Sequence, residues 1–270
     1  MLPVSVNATM QQLCSLLQAR LGDNLEAVYL YGSTALGAYI EGSSDIDFLA
    51  LVDRPLIPAE IEAIADAHKE MEQAIPNLDI MGSYVCRADF GKPFTAIPVY
   101  ASYYNKQLHP DETGADINPV TLWTLRKYGI CVHGEHIPFT YDTALNELLA
   151  YVMNNLNTYW VGWIERLEQY SETVGSWDHS ASKQMDAAVE WCTLGMLRQL
   201  YTIKEHDITS KIGAGEYGLA TLPSKWHALI REAIAIKQQA SAPVYFSQEA
   251  RLTDLLELLR FIHTECNSSA

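Results

Sequence analysis

The chain has 270 residues, 49% hydrophobic and 19% charged, a globular composition long enough for one large or two small domains. Its 33 acidic against 18 basic residues leave a formal net charge of −15, which argues against a nucleic-acid backbone as partner and for cations, although acidity also keeps a protein in solution. No apolar run reaches the roughly 18 residues of a membrane span, Met1-Leu2-Pro3-Val4 opens no signal-peptide pattern, and the scattered Cys14, Cys86, Cys131, Cys192 and Cys266 read as reduced thiols of a cytoplasmic protein.

Asn7 to Leu21 carries the stripe Met10, Leu13, Leu17 and Leu21 of an amphipathic helix, with Asn7 to cap it and Gly22 to end it. Leu25 to Leu30 predicts a first strand leading into Tyr31-Gly32-Ser33. After a mixed stretch with Gly37 and Gly42, Ser44-Asp45-Ile46-Asp47 opens a second strand, Asp45 to Val52. Strand side chains alternate, so Asp45 and Asp47 point the same way. Two like charges side by side are costly unless a cation lies between them.

Pro58 suits the first turn of a helix with Ile61, Ile64, His68, Met71 and Ile75 on one face. Pro76-Asn77 turns into a third strand, Leu78 to Cys86, with Asp79, Met81 and Ser83 on one face and Ile80, Gly82 and Tyr84 on the other. Residues 87–117 hold Pro93, Pro98, Pro110 and the cluster Tyr100, Tyr103 and Tyr104, and predict a long surface excursion with at most one short strand. A helix from Pro119 to Tyr128 and a short run Ile130-Cys131-Val132 follow. After Pro138 the periodicity is helical: Leu145 to Leu167, Met185 to Tyr201, a short helix at Leu219, Trp226 to Gln238, and Leu252 to His263. The change predicts a domain boundary near Tyr141. Gly213-Ala214-Gly215 fits a helix connection, and Trp160, Trp163, Trp191 and Trp226 fit a core.

Gly32-Ser33 followed by Ser44-Asp45-Ile46-Asp47, lying between two predicted strands, resembles the signature of the nucleotidyltransferase superfamily. In the helical half, Arg198, Tyr201, Ile208-Thr209-Ser210-Lys211 and Leu219-Ala220-Thr221-Leu222-Pro223 resemble the C-terminal domain of the aminoglycoside (streptomycin/spectinomycin) adenylyltransferases, and Val132-His133-Gly134-Glu135 is similar to the family as well. The resemblance implies an α/β nucleotidyltransferase domain, a mixed sheet with flanking helices, over residues 1–141, and an all-α helical bundle over 142–270. It implies ATP as co-substrate, held by Gly32, Ser33, Ser44, Arg198 and Lys211, and Mg²⁺ held by Asp45 and Asp47. Lys211 would reach the β- and γ-phosphates. Arg198, inside an apolar helix, would make a second phosphate contact or a domain-bridging ion pair.

The family also uses a third carboxylate on a neighbouring strand. Asp79, in Leu78-Asp79-Ile80, is the candidate, one methylene shorter than the family's Glu. An alignment slipped by two residues would place Met81 there and leave the base missing. The cost of an unpartnered buried strand carboxylate favours Asp79. The implied reaction is attack of a hydroxyl on the α-phosphorus of ATP with departure of pyrophosphate, in a cleft between the domains.

A cationic small-molecule acceptor would need carboxylates and an aromatic wall. Asp186 and Glu190, four apart on one helix, and Tyr103 with Tyr104 are the candidates, against a solvated acidic stripe and core tyrosines as the plainer reading. Ala188 and Trp191 fall where the family carries its acidic pair. Two other functions stay open: a nucleotidyltransferase acting on a protein or tRNA, and a nucleotide-binding protein of weak catalysis if the third carboxylate is absent.

Overall fold

The computed structural model describes residues 2–268 except 76, 91, 111–115, 137–143, 174–178, 241–244 and 246. It divides into two compact units, Met1–Ala144 and Leu145–Ala270; Tyr141, where the change of pattern was expected, lies outside the described residues.

The first unit is a mixed six-stranded sheet in the order β5-β4-β3-β2-β1-β6. Its strands are β1 (Leu25–Leu30), β2 (Ile46–Val52), β3 (Ile80–Cys86), β4 (Val99–Tyr104), β5 (Gln107–His109) and β6 (Ile130–Gly134). β2 runs parallel to β3, and every other neighbouring pair is antiparallel. The parallel pair is joined through helix α3 (Pro58–Ala74), since parallel strands need a crossover. Both faces are covered. Helix α1 (Val4–Leu21) and α3 lay Met10, Leu13, Leu17, Ile64 and Met71 over Val28, Leu30, Phe48, Ala50 and Tyr84. Helix α4 (Pro119–Tyr128) lays Leu122 and Leu125 over Tyr29, Leu49, Leu51 and Val85. Coverage on both sides is why β2 is almost wholly apolar beyond Asp47, and each fully buried side chain of this size contributes about 1.5–3 kcal/mol.

Several element boundaries differ from the sequence expectation. α1 begins at Val4 behind Pro3, and Asn7 caps nothing: its amide already donates to Pro3 O at 2.9 Å inside the helix. β2 and β3 each begin one or two residues late, leaving Asp45 and Asp79 just ahead of their strands. The excursion after Arg87 contains the hairpin β4–β5, two strands where at most one was expected, closed by Asn105 and Lys106 at φ 50° and 59°. Two successive positive φ values match the twist of a two-residue hairpin turn.

That hairpin moves Tyr103 out of the predicted loop. It is 3% exposed, its ring stacks on His68 at 3.7 Å, and its hydroxyl donates to Glu72. His68 lies inside the same core, with Nε2 at 2.8 Å from the Tyr84 hydroxyl. Tyr103 is therefore a core residue and does not form the wall of an open pocket.

The second unit is all helical. α5 (Leu145–Asn155), a π turn (Leu156–Trp160) and α6 (Val161–Thr173) follow one another without a break. α7 (His179–Glu205) packs on α8 (Lys211–Thr221), α9 (His227–Lys237) and α10 (Gln248–Asn267). Gly213 and Gly215, expected in a connection, sit inside α8. A Cβ at Gly215 would stand 2.7 Å from Cγ1 of Ile234, so glycine there lets α8 close on α9. Trp160 and Trp226 are core residues, whereas Trp191 is 40% exposed. Among the described residues no helix is long and apolar enough to cross a membrane, and the five cysteines are unpaired.

Candidate active site

β1 ends at Tyr31, and Gly32 turns the chain at φ 60° into the single helical turn α2 (Gly32–Ala35). The turn is pinned to β2 by Tyr31 N donating to Asp47 O at 3.1 Å. Oδ2 of Asp47 lies 1.8 Å from where a Cβ on Gly32 would be, so the carboxylate occupies the space the glycine leaves open. In the same turn, Ser33 Oγ and Thr34 Oγ1 are shielded from solvent and have no hydrogen-bond partner among the described residues. Leaving such groups unmade costs about 1–3 kcal/mol each, a cost that fits a turn built to meet a ligand. Ser44 is committed differently: its buried hydroxyl accepts from Ile40 N at 3.1 Å and closes the loop that delivers Asp45.

The carboxylates gather at one end of the parallel pair. Ile46 stands opposite Ile80 and Asp47 opposite Met81, and Ile46 N donates to Asp79 O at 3.0 Å. Asp79 is thus the neighbour of Asp45 one step ahead of the ladder, and alternation puts Asp45, Asp47, Asp79 and Met81 on one face. Asp79 is exposed. The expectation that burial would single it out is corrected: exposure removes that cost, and register is what sets Asp79 beside Asp45. Tyr39 faces the same group. Burial raises its hydroxyl above the ordinary tyrosine value, and Glu41, Asp45 and Asp79 raise it further.

Among the described residues no three His, Cys, Asp or Glu side chains form a complete metal cage. Mg²⁺ seldom uses one: it takes one or two carboxylates and completes its shell with water and phosphate oxygens. Asp45 and Asp47, with Gly32 opening a cradle beside Asp47, fit that partial donor set.

In the helical unit, Ser210 caps α8 by accepting from Gly213 N at 3.0 Å, which sets Lys211 at the helix start. Lys211 Nζ bonds Glu190 Oε1 at 2.9 Å and lies 4.5 Å from the centre of the Trp191 ring. Arg198 is half-buried in α7. Asp186 does share α7 with Glu190, but its carboxylate is taken by Arg251 at 2.7 Å. Arg251 is 3% exposed and also holds Glu232 at 3.2 Å. The expected acidic stripe is thus spent on the protein's own cations. α6 and α7 enclose a groove of ≈ 530 Å³ walled by Trp163, Leu167, Tyr170, Met185 and Trp191, with Arg166 and Glu190 as its charged members.

Two family models match the chain. Residues 11–97 match the nucleotidyltransferase domain, and residues 145–260 match the C-terminal domain of aminoglycoside adenylyltransferase. The chain belongs to the aminoglycoside adenylyltransferase family of the nucleotidyltransferase superfamily. It is a nucleotidyltransferase. Among solved structures, spectinomycin adenyltransferase AAD(9) from Enterococcus faecialis, with ATP and spectinomycin, is 15% identical at a TM-score of 0.64, over 94% of this chain and 98% of that one. The STING-associated c-di-GMP synthase CdnE from Capnocytophaga granulosa is 12% identical over 99% of this chain and 84% of that one, at a TM-score of 0.22. No curated protein matches the sequence significantly.

One residue that acts on Tyr31 together with the Asp pair escaped the sequence reading. Asp116 accepts from Asn118 Nδ2 at 2.6 Å and from Thr121 Oγ1 at 3.3 Å, ahead of the α4 cap made by Asn118. It faces the buried Tyr31. Burial raises that phenol well above its ordinary value, and Asp116, Asp47 and Asp45 follow in that order. A single Asp in a stretch read as a loop gave no periodic signal; Asn118-Pro119, a helix start, was the one local clue.

Proposed function

We propose that the protein transfers AMP from ATP to a hydroxyl of a small molecule and releases pyrophosphate, the acceptor class supported by the family being an aminoglycoside or aminocyclitol antibiotic. The observation that carries this reading is the packing of the Asp47 carboxylate into the Gly32 turn, which sets a charge-bearing strand end against a turn with unpartnered hydroxyls. Ser33 and the turn amides would hold the departing phosphates, and Lys211 and Arg198 would add positive charge to them. Asp79, beside Asp45, would take the proton of the attacking hydroxyl, through a water where its short side chain falls short. Mg²⁺ on Asp45 and Asp47 would supply charge neutralisation on the triphosphate. Five unpaired cysteines support a cytoplasmic setting, where antibiotic inactivation would take place.

Pyrophosphate release from ATP and Mg²⁺, measured across a panel of aminoglycosides and aminocyclitols, tests the reading. Release with at least one acceptor is expected, and none with any acceptor despite ATP binding would sink it. Met81 opposite Asp47 supports a second reading, nucleotide binding without efficient transfer. Asp79→Asn separates the two: a turnover unchanged by the substitution removes Asp79 from the chemistry and favours the second.

A further inference from the structure

Asp79 is the exposed carboxylate beside Asp45, and its side chain ends about 1.5 Å, one carbon–carbon bond, short of where a glutamate's would. A general base works within about 2.6–3.2 Å of the group it deprotonates, directly or through one bridging water. The loop ahead of β2 carries a hydroxyl that can stand in for such a water. Tyr39 is fixed from both sides. Ala38 N donates to Ser33 O at 2.9 Å, which ties the residue before it to the Gly32 turn. Ile40 N donates to Ser44 Oγ at 3.1 Å and Ser44 N donates to Ile40 O at 2.8 Å, which ties the residue after it to the loop that delivers Asp45. The half-buried ring packs on the core under α1 and α3. Asp45 and Asp79 stand just ahead of their strands, and both act on the Tyr39 hydroxyl together with Glu41. Glu41 is itself held to α1, accepting from Ser5 Oγ at 3.3 Å. The hydroxyl end of Tyr39 thus lies among the carboxylates while its backbone is tethered on both sides. A tyrosine hydroxyl donates one hydrogen bond and accepts another, as a bridge requires.

We propose that Tyr39 is a further catalytic residue, whose hydroxyl bridges the attacking hydroxyl of the acceptor to Asp79. As the acceptor oxygen bonds to the α-phosphorus, its O–H bond breaks and the proton passes to Tyr39 Oη. The proton that Tyr39 held passes to an Asp79 oxygen, so the phenol ends the step neutral. The electron pair of the broken phosphorus–oxygen bond leaves with pyrophosphate. The proposal rests on the AMP-transfer reading, with Asp79 as its base.

The test is a double-mutant cycle on the full chain, reading pyrophosphate release from ATP and Mg²⁺ with spectinomycin, streptomycin and kanamycin as acceptors. Tyr39→Phe keeps the packed ring and is expected to lower kcat roughly 10- to 100-fold, with the KM for ATP and the unfolding midpoint unchanged. Asp79→Glu supplies the missing reach and is expected to keep kcat within about tenfold of the unaltered protein. On top of Asp79→Glu, Tyr39→Phe is expected to change kcat about twofold or less. An equal loss in both backgrounds makes Tyr39 a structural residue and overturns the proposal while the transfer reading stands. An unchanged kcat in Tyr39→Phe alone, a raised KM for ATP in place of a lowered kcat, or an inactive Asp79→Glu overturns it in the same way. Release with none of the three acceptors overturns the bridge and the transfer reading together.

Discussion

Oδ2 of Asp47 stands 1.8 Å from the position a side-chain carbon on Gly32 would occupy. Turn and carboxylate are one packed unit. Gly32→Ala must therefore displace Asp47 as well as force a Cβ into a left-handed backbone at φ 60°. The backbone penalty is about 1–2 kcal/mol, and loss of the aligned carboxylate should lower turnover by roughly 100-fold or more. Thermal unfolding and pyrophosphate release, measured together, separate the two effects.

Asp47→Asn keeps the shape and removes the charge. Turnover should fall roughly 100-fold or more while the unfolding midpoint stays within a degree or two. Near-normal activity would detach Asp47 from the metal. Asp116→Asn keeps one acceptor oxygen, enough for Asn118 Nδ2, turns the oxygen that accepts from Thr121 Oγ1 into a donor, and removes a charge that acts on Tyr31. A drop in kcat larger than that of Thr121→Val, which removes only the hydroxyl bonded to Asp116, would bring Asp116 into the site's electrostatics.

Arg251 is enclosed between Asp186 and Glu232. Arg251→Ala leaves Glu232, whose carboxyl burial already pushes above its ordinary value, without its cation. Breaking a buried pair from one side costs about 3–5 kcal/mol. Asp186 is half exposed, so Asp186→Asn should cost about 1 kcal/mol or less. Urea titrations of the two variants give the comparison, and equal costs would refute the assignment of Glu232 as the dependent partner.

Burial pushes the His68 imidazole from its ordinary 6.5 down to about 3. The folded state keeps it neutral against Tyr84, Tyr103 and Phe48, with Glu72 beyond on the Tyr103 hydroxyl. The unfolded chain takes up the proton first, so this residue's share of stability is full above pH 6.5 and drains away as pH falls toward about 3. His68→Phe should lower stability at neutral pH by stranding the Tyr84 hydroxyl, yet flatten the loss between those two values. Unfolding midpoints across that range measure it.

Lys211 is shared between Glu190 and the Trp191 ring. If it also serves the nucleotide, Lys211→Ala should raise KM for ATP about tenfold, the equivalent of ~1.4 kcal/mol, with little change in the unfolding midpoint. An unchanged KM would leave Lys211 as a support for the groove wall alone.

The sequence carried the apolar runs of β1, β2 and β3 plainly, because their alternation and turn residues are local signals. It also carried Asp45 and Asp47, since two carboxylates entering a strand are conspicuous. The hairpin was hidden, because Asn105-Lys106 is not the Asn-Gly or Asp-Gly pair that usually marks such a turn. Tyr103 read as a loop residue for the same reason. Helical spacing put Asp186 and Glu190 on a common face, but their partners Arg251 and Lys211 come from other helices. Local periodicity says nothing about which distant side chain consumes a charge. Asp116 depends on such a distant meeting too, across the α4 cap to Tyr31.

The π turn at Leu156–Trp160 gives the long helix of the second unit a change of phase. Each residue of an α-helix advances the side chains by about 100°, and a π turn is one residue of surplus held in place. Upstream of it Leu148 and Val152 face the core; downstream Trp163, Arg166, Leu167 and Tyr170 line the groove. Excising one residue from that turn would make a more regular helix and swing every groove residue on α6 away from α7. Helix length here sets which side chains of α6 face α7, and it could be changed without altering any one of them.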